Sequence, residues 1–372
     1  MKKQLLILLQ VLFVGLLASC EGQAPDNGND GNEPLHGKIT LLADKTLIRA
    51  DGSDQATLQV LLTDSSGMIL DVTDKAEIYM GDSSEPLTTT LFTASSAGTF
   101  SFYALYGMEI SNDLEVKAVS GVADLPADSD KASTNFNHKL LLVQHTGSAC
   151  PNCPGVMNNL KRLAEDSAYA DKYLHIASHS YNEDDNAYSS AASILASFVE
   201  PVAYPWVTFN LLKSTKYLGD VESMKDCIDL FHEESARVGI CASASEADGY
   251  FYANVGVKAA QTGNYRVGVW VLEDNIYSTQ SGATASWQHI HSNALREMAG
   301  NNKTDRVYGG TSLRLDGGAS GSVIVEVAVD EQWVVSNCKL LIFVTTDDGN
   351  GNLELVNSTL CPIGESVAYA YN

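Results

Sequence analysis

Positive charge is what this 372-residue chain has least of: 23 Lys and Arg stand against 46 Asp and Glu, a formal net charge of -23. Phosphate backbones are bound through stripes of Lys and Arg, so nucleic acid is excluded as a partner, and an anionic lipid face is a poor one on the same ground. Long apolar runs are equally scarce. Only Leu5 to Leu17 stands out, and it is too short for a span of about 20 apolar residues. There is one C-x-x-C and no second one, which argues against a zinc site. No tandem repeat is evident, no cofactor is implied and no metal site is expected.

What is present begins with the first twenty residues. Lys2 and Lys3 precede the apolar run, which closes on Leu17-Ala18-Ser19-Cys20, the three-part layout of a secretory signal. Small residues directly before a cysteine form the pattern of a bacterial lipobox. Residues 1–19 are therefore expected to be a lipoprotein signal peptide, with Cys20 acylated and holding the mature chain to a membrane. Removing Lys2 and Lys3 takes the charge from -23 to -25. Residues 20–35 are mostly Gly, Asn, Asp and Pro, too polar to bury a core, and read as a flexible tether.

Residues 36–122 alternate with period two between turn signals such as Asp51-Gly52 and Ser66-Gly67. Short, regular strands predict a β-sandwich, similar to the immunoglobulin-like modules near the anchors of bacterial surface proteins. Residues 123–137 read as a polar linker. Across 138–238 the pattern becomes β-α-β-α-β-β-α, with Lys216-Tyr217-Leu218 read as a short edge strand. Residues 239–372 return to period two, Asp248-Gly249 marking a hairpin, and predict a second β-sandwich with one helical patch near Ser292 to Met298.

Cys150-Pro151-Asn152-Cys153 is the one motif with a definite chemistry. Placed between a strand and a helix, the first sulfur would sit at the helix N-terminus, where unpaired amides and the dipole favour a thiolate. Cys150 would then attack a disulfide and Cys153 resolve the product. A structural bridge is the rival reading. His145 and His179 are the nearest additional zinc ligands, and both are better explained as packed strand-end side chains. The order strand, C-x-x-C, helix, strand, helix, Tyr204-Pro205, strand resembles thioredoxin. That resemblance implies a thioredoxin-like α/β domain with Pro205 as the cis-proline facing the dithiol. Ala149 stands where thioredoxin has Trp, and about twenty residues are inserted before Pro205.

Cys338 and Cys361 lie symmetrically about the loop Asp347 to Asn352, which predicts a cross-strand disulfide. For Cys227 and Cys241, a bond and two thiols are both open. His289 and His291, one residue apart, are read as loop packing rather than metal ligands. Trp270, Trp287 and Trp333 fall in or beside strand patterns, so core packing explains them better than glycan capture.

The whole layout resembles the Omp twenty-eight-related outer-membrane lipoproteins of Bacteroidota, through Thr146 to Pro154 and His291 to Arg296, over residues from about 137 to the end. Asn293 departs from the second His that is frequent there. The expectation is a multidomain α+β envelope protein: immunoglobulin-like β-sandwich, thioredoxin-like domain, C-terminal β-sandwich. Its functional reading is thiol–disulfide exchange on exported proteins. The alternative is a non-enzymatic outer-membrane surface or assembly protein binding a protein or glycan partner.

Overall fold

The computed structural model describes residues 35–211 and 220–372. Cys20, the signal peptide, nearly all of the tether and the expected edge strand at Lys216 to Leu218 lie outside the described residues. Two compact units divide the chain between Ser120 and Gly121.

Among the described residues, the regular elements of the first unit are strands apart from one short turn of helix. A four-stranded sheet joins β1 (Gly37–Ala43), β3 (Ala56–Asp64), β4 (Ile69–Asp71) and β6 (Leu91–Phe92). A five-stranded sheet joins β2 (Leu47–Arg49), β9 (Leu114–Val119), β7 (Gly98–Tyr106), β5 (Glu77–Met80) and β8 (Glu109–Ile110). Alternate residues from both sheets, among them Ile39, Leu41, Val60, Phe102 and Val116, form one core, as period-two sequences require.

The second unit opens with β10 (Leu140–Thr146), α1 (Cys153–Ala164), β11 (Tyr173–His179), α2 (Ser190–Val199), β12 (Trp206–Phe209) and α3 (Val221–Phe231). It continues with β13 (Val238–Ala247), β14 (Tyr250–Ala259), β15 (Gly263–Glu273), β16 (Ile276–Tyr277), β17 (Ile290–His291) and β18 (Ala294–Met298). It ends with α4 (Lys303–Tyr308), β19 (Thr311–Leu315), β20 (Ser320–Ala328), β21 (Cys338–Asp347), β22 (Leu353–Pro362) and β23 (Ser366–Val367). Ser189 and Asp220 cap α2 and α3, each accepting a hydrogen bond from an amide three residues on, which satisfies donors that the helix itself cannot.

The expected thioredoxin-like α/β domain is corrected here. The molecule is β-rich, 43% strand and 15% helix, and strands β10, β11 and β12 build no separate sheet. They are one end of an eight-stranded mixed sheet in the order β12-β10-β11-β18-β15-β21-β22, with β19 also on β15. The joint is β18. It pairs in parallel with β11 at Ala177 and Ala294, and antiparallel with β15. The same segment was expected to be helical from its Ala, Leu, Arg, Glu and Met content. Sheet pairing overrides that propensity, since Ala294 and Leu295 are fully buried in the strand.

One face of this sheet carries α2 and α4 over Leu141, Val143, Ile176, Trp270 and Phe343. The other is covered in two pieces. Helices α1 and α3 cover Leu140, Leu142 and Phe209, and a four-stranded sheet, β20-β14-β13-β23, covers the β15, β21 and β22 end. The presumed linker also belongs to this unit. The Lys258 ammonium, 2% exposed, donates to Asp128 Oδ2 at 2.9 Å and to the carbonyls of Asp130 and Lys131, and Phe136 is fully buried.

Candidate functional site

Strand β10 leaves the sheet at Thr146, and a tight loop carries the chain to Cys150 and into α1. Cys150 and Cys153 are joined in a disulfide with their Cα atoms 5.5 Å apart. The helix begins at Cys153, with Asn152 as its cap and Pro154 in the first turn. Cys150 therefore lies three residues ahead of the helix, in a separate turn in which its carbonyl accepts from the Cys153 amide. Pro151 and Asn152 are exposed, yet Cys150 and Cys153 are 1% and 0% exposed. Tyr204-Pro205 is cis, and β12 pairs with β10 through His145 and Trp206, so Pro205 arrives at the sheet end from which the cysteine loop departs.

What closes over the bridge is a segment from the region that the sequence assigns to the C-terminal β-sandwich. Gln280, 3% exposed, donates through Nε2 to the carbonyls of Cys150 at 2.9 Å and Ser148 at 3.2 Å. The Ser281 amide donates to the Ser148 carbonyl at 2.7 Å. Gly282, at φ +71°, lies so close to Pro151 that a Cβ would stand 2.3 Å from its carbonyl oxygen. Gln288, fully buried, donates to the Pro154 carbonyl and to Asn158 Oδ1, both at 3.2 Å, while its own oxygen accepts from the amides of Thr284 and Ala285. Two glutamines thus latch residues 278–291 across the cysteine loop. Only their position in the fold, not their residue type, reveals this.

Beneath the loop lies a polar group of its own. His179 Nδ1 and Asp185 Oδ2 are 2.7 Å apart, and the Ser148 amide donates to the same oxygen at 2.7 Å. Burial alone pushes the Asp185 carboxyl up, but the His179 contact and the amides of Ala187 and Ser148 outweigh it and hold the carboxyl far below its ordinary range. The His291 ring meets that of His179 edge-on at 4.6 Å. Burial, with His179 beside it, lowers the His291 pKa to about 4. His145, fully buried, is also pushed down to about 4 by desolvation. His289 accepts the Gln280 amide through Nδ1 at 3.0 Å. Among the described residues, no group of three or more His, Cys, Asp or Glu side chains has the arrangement to hold a metal.

The expected Cys338–Cys361 bridge is absent, and both residues are buried thiols. The register explains it. Near the turn Asp347 faces Leu353, and an irregularity after Val344 shifts the pairing further, so Cys361 lies opposite Leu340. Symmetry about the loop centre assumed a regular ladder, and a bulge breaks that assumption. Burial raises the pKa of Cys338 to about 12, with Glu273 adding to it, and that of Cys361 to about 11. Cys241 is likewise a buried thiol. Trp270 is fully buried and packs edge-on against Phe343, while Trp333 packs against the core and Trp287 is 38% exposed.

No protein-family model matches the chain, and no curated protein matches it. Among solved structures it is similar in fold to HBP35 of Porphyromonas gingivalis, with a TM-score of 0.51 at 13% identity over 62% of this chain and 77% of that one. The adhesin InvE of Yersinia pseudotuberculosis aligns over 90% of this chain and 61% of that one, but with a TM-score of 0.17 and 10% identity. No helix among the described residues is long and apolar enough to cross a membrane.

Proposed function

We propose that this chain is a non-enzymatic envelope lipoprotein that binds a protein partner, with the Cys150–Cys153 bond serving as a structural clamp. The observation that carries this reading is the enclosure of both sulfurs beneath the loop latched by Gln280 and Gln288. Attack on a disulfide needs an in-line approach by a thiolate, and a sulfur covered by its own chain gives none. The clamp fixes the start of α1 to the loop that leaves β10. That rigid corner in turn supports the covering loop, whose outer side presents aromatic and aliphatic groups. Tyr277 and Ile290 are cross-strand partners in the β16–β17 ribbon, and they are 60% and 41% exposed. With Trp287 they supply the kind of amphipathic surface that protein interfaces favour.

The envelope location rests on Leu17-Ala18-Ser19-Cys20 and on the polar tether after it. The likeness in fold to a Bacteroidota protein is in keeping with the Omp twenty-eight-related family. Two strains test the reading. Cys20→Ser should move the protein from the membrane to the soluble envelope fraction. Cys153→Ser, which would trap substrates if Cys150 were an exchanging nucleophile, should capture no partner on non-reducing gels. Mixed disulfides in that strain would overturn the structural assignment of the bridge.

A further inference from the structure

A strand at the edge of a sheet presents unpaired N–H and C=O groups, and proteins shield such edges by shortness, Lys or Pro, bulges, or a cover. Most edges among the described residues are shielded in one of these ways. Strands β2, β4, β6, β8, β12 and β23 have two to four residues. The edge of β1 is plugged by the Asn112 amide, which donates to the Leu41 carbonyl and accepts from the Leu41 N–H. At β22, Asn357 and Ser358 bond to the backbone of Asn137, Lys139 and Val238.

Strand β20 has none of these protections. It runs for nine residues, contains neither Lys nor Pro, and pairs with β14 without a shift in register. The Val329 amide donates to the Gly249 carbonyl and the Ala259 amide to the Ala319 carbonyl, which places the hydrogen-bonded pairs at the odd-numbered residues of β20. The amides and carbonyls of Ser322, Ile324 and Ala328 therefore point away from β14. No strand among the described residues pairs with β20 on that side. On the core side of the same edge, Val325 and Leu313 are only partly buried. Leu313 belongs to β19 and lies beside the edge: a Cβ on Gly321 would stand 3.5 Å from its Cδ2.

We propose that this edge docks an extended segment of a partner protein, added to β20 as a further strand, in which aliphatic side chains alternate with Lys or Arg. Main-chain bonds to Ser322, Ile324 and Ala328 hold such a segment, and its alternate side chains set the specificity. Those turned to the core side cover Val325 and Leu313 and are aliphatic. Those turned outward meet acidic surroundings. Between Arg314 and Lys339 the chain carries Asp316, Glu326, Asp330 and Glu331 and no Lys or Arg. The same charges select against a second copy of this chain, whose own β20 would bring the same carboxylates to the edge. The inference is independent of the covering loop and the disulfide, because β20 lies in the other sheet of the unit.

The test is fluorescence anisotropy of a labelled peptide, as long as β20 and alternating Val with Lys, titrated with the mature full-length protein in detergent. Saturable binding with a Kd below about 100 µM is expected. A peptide with Glu in place of Lys, and an isomer of the first with all its Lys at one end, should each bind at least about tenfold more weakly. Ile324→Pro should abolish binding, since that N–H faces away from β14 and an edge strand tolerates proline there. Should this change lower the urea midpoint, Ser322→Lys, at an exposed position, should weaken binding about tenfold while leaving the midpoint unchanged. Absence of saturable binding, equal affinity for either control peptide, or binding insensitive to both variants would overturn the proposal. So would a dimer in sedimentation velocity that Ile324→Pro separates, because a second copy would then occupy the edge.

Discussion

Gln280 illustrates how much one buried amide can hold in place. Its Nε2 donates to the carbonyls of Cys150 and Ser148, two acceptors that face a loop with no strand to pair them. In Gln280→Ala those carbonyls keep only their backbone donors, the Cys153 and Ser281 amides, and the lost side-chain hydrogen bonds cost about 0.5–1.5 kcal/mol each. The expected outcome is a lower urea midpoint, together with faster reduction of the bridge by dithiothreitol, followed by alkylation and mass spectrometry. Gly282→Ala should act in the same direction, because its Cβ meets the Pro151 carbonyl in a left-handed backbone conformation. An unchanged reduction rate in both variants would mean that the loop does not guard the sulfurs. The buried histidines give a second signature. His138, His145, His175 and His291 are held near 4 chiefly by burial, whereas their unfolded value is near 6.5. Above 6.5 both states carry neutral rings and stability is level in this respect. As pH falls from 6.5 to 4 the unfolded chain takes up protons that the folded chain refuses, so stability is lost. Urea midpoints should therefore be lower at pH 5 than at pH 7, and equal midpoints would contradict the buried neutral state.

At the scale of elements, the decisive pieces are short. Strand β18 has five residues, yet it turns two groups of strands into one sheet. Its Ala-Leu-Arg-Glu-Met composition favours helix, and nothing local in it announces pairing with β11, a segment more than a hundred residues earlier. The longer elements were legible because their periodicity is set by the faces they bury: β10, α1, β11 and α2 follow in the expected order. The Asp248-Gly249 turn was legible too, both residues having the positive φ that this hairpin demands. The C-x-x-C was plain in the sequence, but its cover was not, since Gln280 and Gln288 reach it only through tertiary folding. The irregularity in the β21–β22 ladder is the same lesson with a direct consequence. Because Cys361 faces Leu340 rather than Cys338, denaturing the protein without reductant and adding iodoacetamide should label Cys241, Cys338 and Cys361 and leave Cys150 and Cys153 unlabelled. A peptide joining Cys338 to Cys361 would restore the regular hairpin.

At the scale of the whole molecule, sheet continuity fixes what can fold alone. The boundary expected at residue 238 cuts between elements that share a core: Leu141, Val143, Ile176 and Leu195 pack with Trp270, Leu272, Leu295 and Phe343. A 138–238 fragment would expose those side chains and leave β11 without its β18 neighbour. It should show no cooperative unfolding in urea followed by circular dichroism. A 121–372 fragment keeps every strand of the second unit and should unfold in a single transition. The 138–372 fragment retains the sheets but loses the buried Phe136 side chain, together with Asp128 and the carbonyls of Asp130 and Lys131 that hold the Lys258 ammonium. Removing a buried Phe side chain costs about 3–5 kcal/mol, so this fragment should be less stable than 121–372 by that order. Equal stability of 121–372 and 138–372 would show that residues 121–137 are a linker after all.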